Sequence, residues 1–367
     1  MLMFGKRKQN FYKLFFGRSE TPPPQQIYVF YRGIPLYRPA TFLNDRYIFA
    51  LPKNLEDKMV AGDLVADFSY TELHQSVVNK HVDRNGARWD FGRQRSHAVT
   101  VESDYSLTDR LAIRIGMPYV WSRYSGSFPH TQLGDETPVP IDDGSYHSTF
   151  QDVSLDVRYN LKSRPLMLTP FFRAGIPSQS YAYFGHAAVG RDQREYHIGL
   201  NAGRRLDPIL PNAYVQGRYS YAFVERVVGI APNRSNTEFQ IGYFLNPRWT
   251  VLGSGQWLHA HSGIEAHFDP PPDGMTPEQW PHHDQIAKSS RFDFGGGVSF
   301  TLNSSTDVFV NLGHSFNGTN GHINAYVLSV GITRTFGTRF ATKKTMTKDG
   351  PGPAPETAFV CTCAKTK

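Results

Sequence analysis

The sequence predicts an all-β protein: a single antiparallel up-and-down transmembrane β-barrel of about twelve strands. Three observations predict it. Apolar and polar residues alternate through a long series of segments, and aromatic rings cluster near the ends of those segments. The connections between the segments alternate between short and long. Each segment alone is a weak signal, but the whole series favours a barrel.

The composition excludes several other classes of protein. The chain has 367 residues, of which 14% are aromatic and 19% charged. It has no run of eighteen apolar residues, so no transmembrane helix is predicted, whereas a membrane-spanning strand needs only about ten residues with every second one apolar. The cysteines, Cys361 and Cys363, lie near the C-terminus, which excludes a disulfide framework.

The positive charge of the chain lies at its two ends. The net charge is +7, residues 1–20 carry five Lys/Arg and one Glu, and residues 337–367 carry six Lys/Arg and two acidic residues. The long middle is therefore close to neutral, and a basic groove is not supported. We expect no nucleic-acid partner.

Twelve segments with strand periodicity begin at residue 64. In DVSLDVRYNL, for example, Val153, Leu155 and Val157 share one face, and Asp152, Ser154 and Asp156 share the other. The segments are 64–70, 97–107, 111–121, 152–161, 167–176, 195–205, 214–224, 238–245, 250–260, 291–303, 307–316 and 326–336.

The connections between these segments alternate in length. The even-numbered segments up to the tenth are followed by SLTDR, KSRP, DPILPN, NPR and NSST, which are rich in turn-forming residues. The first, third, fifth and ninth segments precede much longer connections, and the seventh and eleventh precede shorter ones. Tight periplasmic turns and longer external loops are typical of outer-membrane barrels, and an even strand count predicts that both termini are periplasmic.

A soluble β-sandwich is the main alternative fold. Its polar face would meet bulk water and would be rich in Lys and Glu, whereas here that face carries Gly, Ser, Thr, Asn and mixed charges. Rings near the segment ends are expected to form membrane-interface girdles: Tyr70, Tyr119, Trp121, Tyr159, Tyr214, Tyr221, Trp249, Trp257 and Tyr326.

The sequence predicts four regions. Residues 1–26 form a basic N-terminal segment that ends in a Pro-rich linker and lacks the apolar stretch of a secretory signal. Residues 27–60 contain rings and prolines, which suit an irregular segment that is periplasmic or inserted into the lumen as a plug. Residues 64–336 form the barrel, and residues 337–367 form a basic tail predicted to be disordered.

Three phrases carry a resemblance to a known family. YSLTDRLAIRIGMPYVWSRYSG (105–126), QDVSLDVRYNLK (151–162) and FFRAGIPSQSY (171–181) resemble the outer-membrane proteins of the phenol-degradation (MetA-pathway) type. YRGIPLYRPATF resembles the opening of a related bacterial outer-membrane barrel family. The resemblance covers about residues 30–340 and consists mostly of barrel features. It implies an outer-membrane channel for a small solute, with a hydrophobic or aromatic compound as one option.

The charged residues on the polar face of the predicted strands are the candidate lumen-lining residues. They could pair with each other and narrow the lumen, or they could line a conducting path with opposed charges. The candidates are Glu102, Asp104, Arg114, Asp152, Asp156, Arg158, Arg173, Arg218, Glu238 and Asp293.

We expect no catalytic residues, no cofactor and no metal. The phrase GHSFNGTNGH resembles a lipid A deacylase motif, but His314 and Ser315 are neighbours in a strand and should point to opposite faces unless a bulge intervenes. A barrel-type lipid hydrolase and a closed structural or docking barrel remain the alternatives.

Five histidines lie in or beside one external loop, and Asp269 and Glu278 are nearby. Their spacing fits no metal motif, so loop decoration is the preferred interpretation over a metal site. The histidines are His259, His261, His267, His282 and His283.

The expected partners are outer-membrane lipid, a small solute and the barrel-assembly machinery. The last expectation rests on Phe336, which ends the final segment as the terminal aromatic residue of such barrels commonly does.

Overall fold

The computed structural model describes residues 62–78, 91–131, 139–162, 166–206, 209–246, 248–265, 275–303 and 305–337, and the backbone of 35–43 and 46–54. The predicted basic N-terminal segment and linker, and the C-terminal tail with Cys361 and Cys363, lie outside these residues. None of the helices in the described part of the chain is long and apolar enough to cross a membrane.

The described residues form fifteen strands and very little helix. The strands are β1 (Pro35–Leu43), β2 (Arg46–Asn54), β3 (Asp63–Val78), β4 (Arg93–Ser106), β5 (Leu111–Ser125), β6 (His147–Phe150), β7 (Asp152–Tyr159), β8 (Met167–Pro177), β9 (Glu195–Arg205), β10 (Ala213–Val224), β11 (Arg234–Phe244), β12 (Trp249–Ala260), β13 (Ser290–Asn303), β14 (Thr306–Thr319) and β15 (Gly321–Gly337). A four-residue helix, α1 (His283–Ile286), follows a 3-10 turn at Trp280–His282.

The strands from β3 onward close into one antiparallel barrel. Consecutive strands pair with each other around the sheet, and the last strand, β15, pairs with the first, β3. Twelve strands form the wall, and β6 adds a short thirteenth that continues the line of β7 alongside β5. The predicted all-β barrel is confirmed, and each of the twelve predicted segments forms a wall strand.

The two ends of the barrel differ as the connections predict. One end carries short turns, such as that between β4 and β5, where Thr108 caps the backbone N–H groups of Arg110 and Leu111. The other end carries the long connections. The exception there is the link between β14 and β15, which is the single residue Asn320 in a left-handed conformation with φ 52°.

The side chains of the wall are arranged inside out relative to a soluble protein. Large apolar residues face outward, with Val101 and Ile115 each 53% exposed and Ile198 60% exposed. Polar side chains face inward and are buried, as Ser96 and Gln256 show. An apolar exterior around a polar interior is the arrangement that lipid requires, and it explains the alternation of the sequence.

Two expectations from the sequence are wrong. Tyr214 is not a girdle residue, because its side chain points inward and is fully buried, packed with Met167 and Phe244 near the short-turn end. The rings and prolines of residues 27–60 predict an irregular segment, yet within it β1 and β2 form an antiparallel hairpin. Register shifts on either side of Pro39 accommodate that proline within the pairing.

Candidate functional site

Oppositely charged residues follow one another across neighbouring strands of the lumen wall. Asp104, Arg114, Asp156 and Arg173 stand opposite each other in register on β4, β5, β7 and β8. Arg114 Nε lies 2.6 Å from Asp104 Oδ2, and Arg158 Nη2 lies 2.7 Å from Asp104 Oδ1. We call this row the first charge belt.

A second charge belt continues around the opposite wall. It runs in register from Arg218 on β10 through Glu238 and Gln256 to Asp293 on β13. Arg291 Nε lies 2.8 Å from Asp293 Oδ2. The polar lumen therefore has a lining of both signs that extends around most of its circumference.

Arg218 connects the two belts. Its Nη2 atom lies 3.1 Å from Asp156 Oδ2 on β7, and its guanidinium carbon lies 3.6 Å from the centre of the Phe171 ring on β8. The side chain thus extends along the wall over an aromatic face, which contributes a cation–π attraction in addition to the ion pair.

The ten predicted lumen residues all lie on the inward parity of the wall. Nine are buried and Arg173 is half-buried. Glu102 occupies space opposite Gly116, where a Cβ atom would come within 2.6 Å of the Glu102 side chain. Asp152 accepts a 2.6 Å hydrogen bond from the Tyr181 hydroxyl.

An equivalent charged group, absent from the residues predicted from the sequence, lies nearer the long-loop end. Arg234, which is completely buried, hydrogen-bonds to Glu195, and His197 Nε2 lies 3.2 Å from the same carboxylate. All three residues lie on the inward parity of β9 and β11, so the alternation itself contained the signal. Arg234 precedes the predicted segment 238–245, so the prediction did not bring it together with Glu195 and His197 of segment 195–205.

The connection between β8 and β9, residues 178–194, folds into the lumen. Its Tyr181 and Val189 pack against inward-facing apolar residues of the wall, and this cluster consists of Leu73, Ala98, Val120, Tyr181, Val189 and Val327. Gln151 Nε2 donates a 2.9 Å hydrogen bond to the Val189 carbonyl oxygen. The loop therefore narrows the lumen, much as an inserted loop does in a porin.

The inserted loop is joined to the long connection between β12 and β13. Gln285 Nε2 donates to the Arg191 carbonyl oxygen at 2.6 Å, and Arg191 Nη2 donates to Ser289 Oγ at 3.2 Å. Burial lowers the pKa of Arg191 to about 9. These contacts make the loops one packed assembly over the mouth.

A buried group of histidine and aspartate side chains lies within this assembly. Asp142 accepts hydrogen bonds from the backbone N–H groups of His130, His186 and Ala187. Although burial opposes its ionisation, the hydrogen bonds and the neighbouring imidazoles lower the pKa of Asp142 well below its usual range. Asp142 thereby holds the connection after β5 against the inserted loop.

A second set of contacts lies on the other side of His130. Its Nε2 atom lies 3.0 Å from His283 Nε2 and 4.0 Å from Asp284 Oδ2. Burial lowers the pKa of His283. A cavity of about 170 Å³ adjoins these residues and is also lined by His186 and His322.

The histidines predicted to share one external loop have separate surroundings. His259 Nδ1 contacts Ser290 Oγ at 3.0 Å, His261 Nε2 contacts Ser235 Oγ at 2.7 Å, and His282 Nδ1 contacts Gln285 Oε1 at 2.6 Å. His267 and Asp269 lie outside the described residues. Of the four of these histidines that the structure describes, His283 is the one that contacts His130, which comes from a distant part of the chain.

The pairing required of a hydrolase is not formed by His314 and Ser315. His314 Nδ1 contacts the Ala325 carbonyl oxygen at 2.7 Å on the outer face, whereas Ser315 Oγ points inward and donates to Asp293. A bulge follows at Phe316 but does not turn the two side chains toward each other.

Comparison with solved structures identifies the fold type. The COG4313 outer membrane channel from Pseudomonas putida F1 has a TM-score of 0.56 and 13% identity, with 76% of this chain and 97% of that chain covered. The CymD monoaromatic hydrocarbon channel has a TM-score of 0.38 and 10% identity, and the Ralstonia pickettii toluene transporter TbuX has 0.37 and 12%; each covers 76% of this chain and 90% of its own.

No family model matches the sequence, and no curated protein matches it. The similarity to CymD and TbuX, below a TM-score of 0.5, is too distant to indicate a function. The fold expected from the sequence resemblance is confirmed: the chain folds as an outer-membrane-type β-barrel, similar to the COG4313 channel.

Proposed function

We propose that this protein is an outer-membrane channel for passive or facilitated passage of a small solute. The observation that carries the proposal is the polar interior of the barrel, which is lined by two charge belts and narrowed by the inserted loop between β8 and β9. Opposed charges on a lumen wall are a common means of selecting solutes in pores.

The chemistry of the narrowed region favours a solute with both an apolar part and a charge. Tyr181 and Val189 form an apolar contact with the wall there, and Arg218 and Asp156 carry opposite charges on the inward face. A small aromatic acid is a solute of this kind. This proposal refines the hydrophobic or aromatic solute that the sequence resemblance implies.

Liposome swelling and planar-bilayer conductance test the proposal directly. Proteoliposomes should swell in isosmotic solutions of small solutes and not of solutes above a size limit, and benzoate should pass faster than an uncharged sugar of similar mass. Purified protein that is folded, as shown by heat-modifiable mobility, but gives neither swelling nor conductance would indicate the closed structural or docking barrel instead.

We propose that the long-loop end is extracellular and that both termini lie in the periplasm. The short turns at the opposite end support this orientation, because outer-membrane barrels carry their tight turns on the periplasmic side. Protease added to intact cells should then cleave only in the long connections. Cleavage at the short turn between β4 and β5 under the same conditions would reverse the orientation.

We propose that the hairpin formed by β1 and β2 acts as a plug. Cα atoms of β1 lie within 8 Å of both β5 and β11, which are on opposite parts of the wall, and those of β2 approach β3 and β15. Deletion of residues 27–60 should therefore raise single-channel conductance. An unchanged conductance in a folded deletion variant would exclude the plug.

We propose that the barrel-assembly machinery recognises β15 through Phe336. The ring of Phe336 is 42% exposed on the outer face, and the Arg334 guanidinium lies 5.1 Å from its centre. Phe336→Ala should slow the appearance of the heat-modifiable form in cells, whereas Phe316→Ala, also on the outer face, should not. Equal assembly rates for the two variants would contradict this role.

A further inference from the structure

Three side chains from two distant loops meet at the long-loop end of the barrel. His130 lies in the connection after β5, and His283 and Asp284 belong to α1 in the connection between β12 and β13. The two Nε2 atoms are 3.0 Å apart. The carboxylate of Asp284 lies 3.5 Å from His283 Nε2 and 4.0 Å from His130 Nε2. Both imidazoles are more than nine-tenths buried.

The hydrogen bonds at the far side of each ring fix the tautomers. His283 Nδ1 lies 2.8 Å from the carbonyl oxygen of Trp280, which can only accept, so this nitrogen carries the hydrogen. His130 Nδ1 lies 3.1 Å from the ionised carboxylate of Asp142, so it also donates. In the neutral rings both Nε2 atoms therefore present lone pairs, and these lone pairs face each other.

Two lone pairs at this distance repel, and a cation between them would turn the repulsion into attraction. The cation could be a shared proton or a metal ion. The adjacent carboxylate of Asp284 favours the metal ion, because it supplies a third ligand that a shared proton would not need. Imidazole nitrogens with one carboxylate suit Zn²⁺, Cu²⁺ or Ni²⁺ better than Ca²⁺ or Mg²⁺, which prefer oxygen ligands alone.

We propose that His130, His283 and Asp284 bind a divalent transition-metal ion of the Zn²⁺ class through their Nε2 and carboxylate atoms. In a tetrahedral zinc site with bonds of about 2.0–2.1 Å, neighbouring ligand atoms are about 3.3 Å apart. The two Nε2 atoms are 3.0 Å apart, Asp284 Oδ1 lies 3.5 Å from His283 Nε2, and Asp284 Oδ2 lies 4.0 Å from His130 Nε2, so these separations bracket that value. All three residues line the adjoining cavity, which has room for a fourth ligand.

The surroundings also match those of metal-bound histidines. Such rings usually donate their other N–H to a carboxylate or a backbone carbonyl, which fixes the ring and makes the ligating nitrogen more basic. Here His130 Nδ1–H donates to the Asp142 carboxylate, and His283 Nδ1–H donates to the Trp280 carbonyl oxygen. The bound ion would join two loops that are 153 residues apart in sequence over the channel mouth.

Calorimetric titration with ZnCl₂ tests the site without any transport measurement. The protein would be the full chain in detergent with Cys361→Ser and Cys363→Ser, because free thiolates in the tail also bind zinc. We expect one Zn²⁺ per chain with micromolar affinity or better. His130→Ala or His283→Ala should weaken binding at least tenfold, and Asp142→Asn by about ten- to a hundredfold.

His282→Gln is the matched control, because His282 is the neighbour of His283 but bonds to Gln285 instead. It should bind zinc as the parent does. Each variant must show heat-modifiable mobility, and Asp284→Asn provides a conservative variant if an alanine variant does not fold. Co²⁺ added to the parent should give the strong visible absorption of tetrahedral coordination.

Two results would overturn the proposal. The first is failure of the folded parent to bind zinc, which would leave the shared proton as the explanation. The second is equal zinc binding by the parent and the His130→Ala/His283→Ala double variant. This measurement tests the metal site independently of the proposed channel function, because it does not involve conductance.

Discussion

Arg218 on β10 and Asp156 on β7 form an ion pair at 3.1 Å, although two other strands lie between them in the wall. The pair joins the charge belts on two parts of the lumen and places the guanidinium over the Phe171 ring. Both charges are buried, so each requires an opposite charge nearby for compensation. This relationship makes the lumen charges a connected set, and it leads to the first prediction.

Asp156→Asn should shift ion selectivity toward anions. The substitution removes one negative charge from the narrowed part of the lumen and leaves Arg218 and Arg173 less compensated, which raises the local positive potential. The measurement is the reversal potential in a KCl gradient across a planar bilayer. Asp143→Asn makes the same charge change at an exposed loop position and is the control. Equal reversal potentials for the two variants would mean that Asp156 does not line the conducting path.

Tyr181→Ala should increase single-channel conductance. The ring is part of the apolar contact that holds the inserted loop against β3, β4, β5 and β15, and its hydroxyl donates to Asp152. Loss of the ring both widens the lumen and weakens the loop attachment. Tyr181→Phe keeps the ring and removes only the hydroxyl, so its conductance should stay close to that of the parent. A Tyr181→Ala conductance equal to that of the parent would show that the loop does not limit flow.

Acidification should loosen the loop assembly through His186. Burial, together with the neighbouring His130, lowers the pKa of His186 from its usual 6.5 to about 3. The folded protein binds a proton at His186 more weakly than the unfolded chain does. The stabilisation of the folded state by neutral His186 is therefore complete above pH 6.5 and is lost as the pH falls toward 3. Between pH 6.5 and pH 5 the loss is about 2 kcal/mol.

Limited proteolysis of residues 178–194 at pH 7 and pH 5 measures this effect, with EDTA present to exclude metal ions. Cleavage of the parent should accelerate at pH 5. His186→Asn has no proton to bind in this range, so its cleavage should depend less on pH, whereas the exposed His261→Asn should behave as the parent does. The same pH dependence in the parent and in His186→Asn would assign the effect to another group.

The wall of the barrel could be predicted from the sequence because one physical rule acts at every strand. Each outward residue meets lipid and each inward residue meets the lumen, so DVSLDVRYNL and YVLSVGITRTF both display the rule within a few residues. Tyr214 departs from the expectation because aromatic residues also fit inside a barrel when they can pack together, as it does with Met167 and Phe244. An aromatic residue alone does not show which face it occupies.

The loops could not be predicted in this way. The contact of Tyr181 and Val189 with Leu73 and Val327 depends on how a seventeen-residue connection folds back, and local periodicity carries no information about that path. The meeting of His130 with His283 joins residues 153 positions apart. Nothing in the spacing of either histidine indicates the other, which is why loop decoration was the reasonable interpretation of the sequence.

Phe239→Arg should destabilise the barrel in the membrane by about 2–4 kcal/mol, because it places a charge on the lipid face at the centre of β11. Leu245→Arg is the matched control: Leu245 is on the same outward parity, 48% exposed, but just beyond the strand at the short-turn end. There the charge reaches the interface, and the cost should be about 0–1 kcal/mol. Urea unfolding in lipid vesicles measures both values, and Phe239→Leu corrects for the lost ring. Equal costs at the two positions would mean that this face of β11 does not meet the hydrocarbon core.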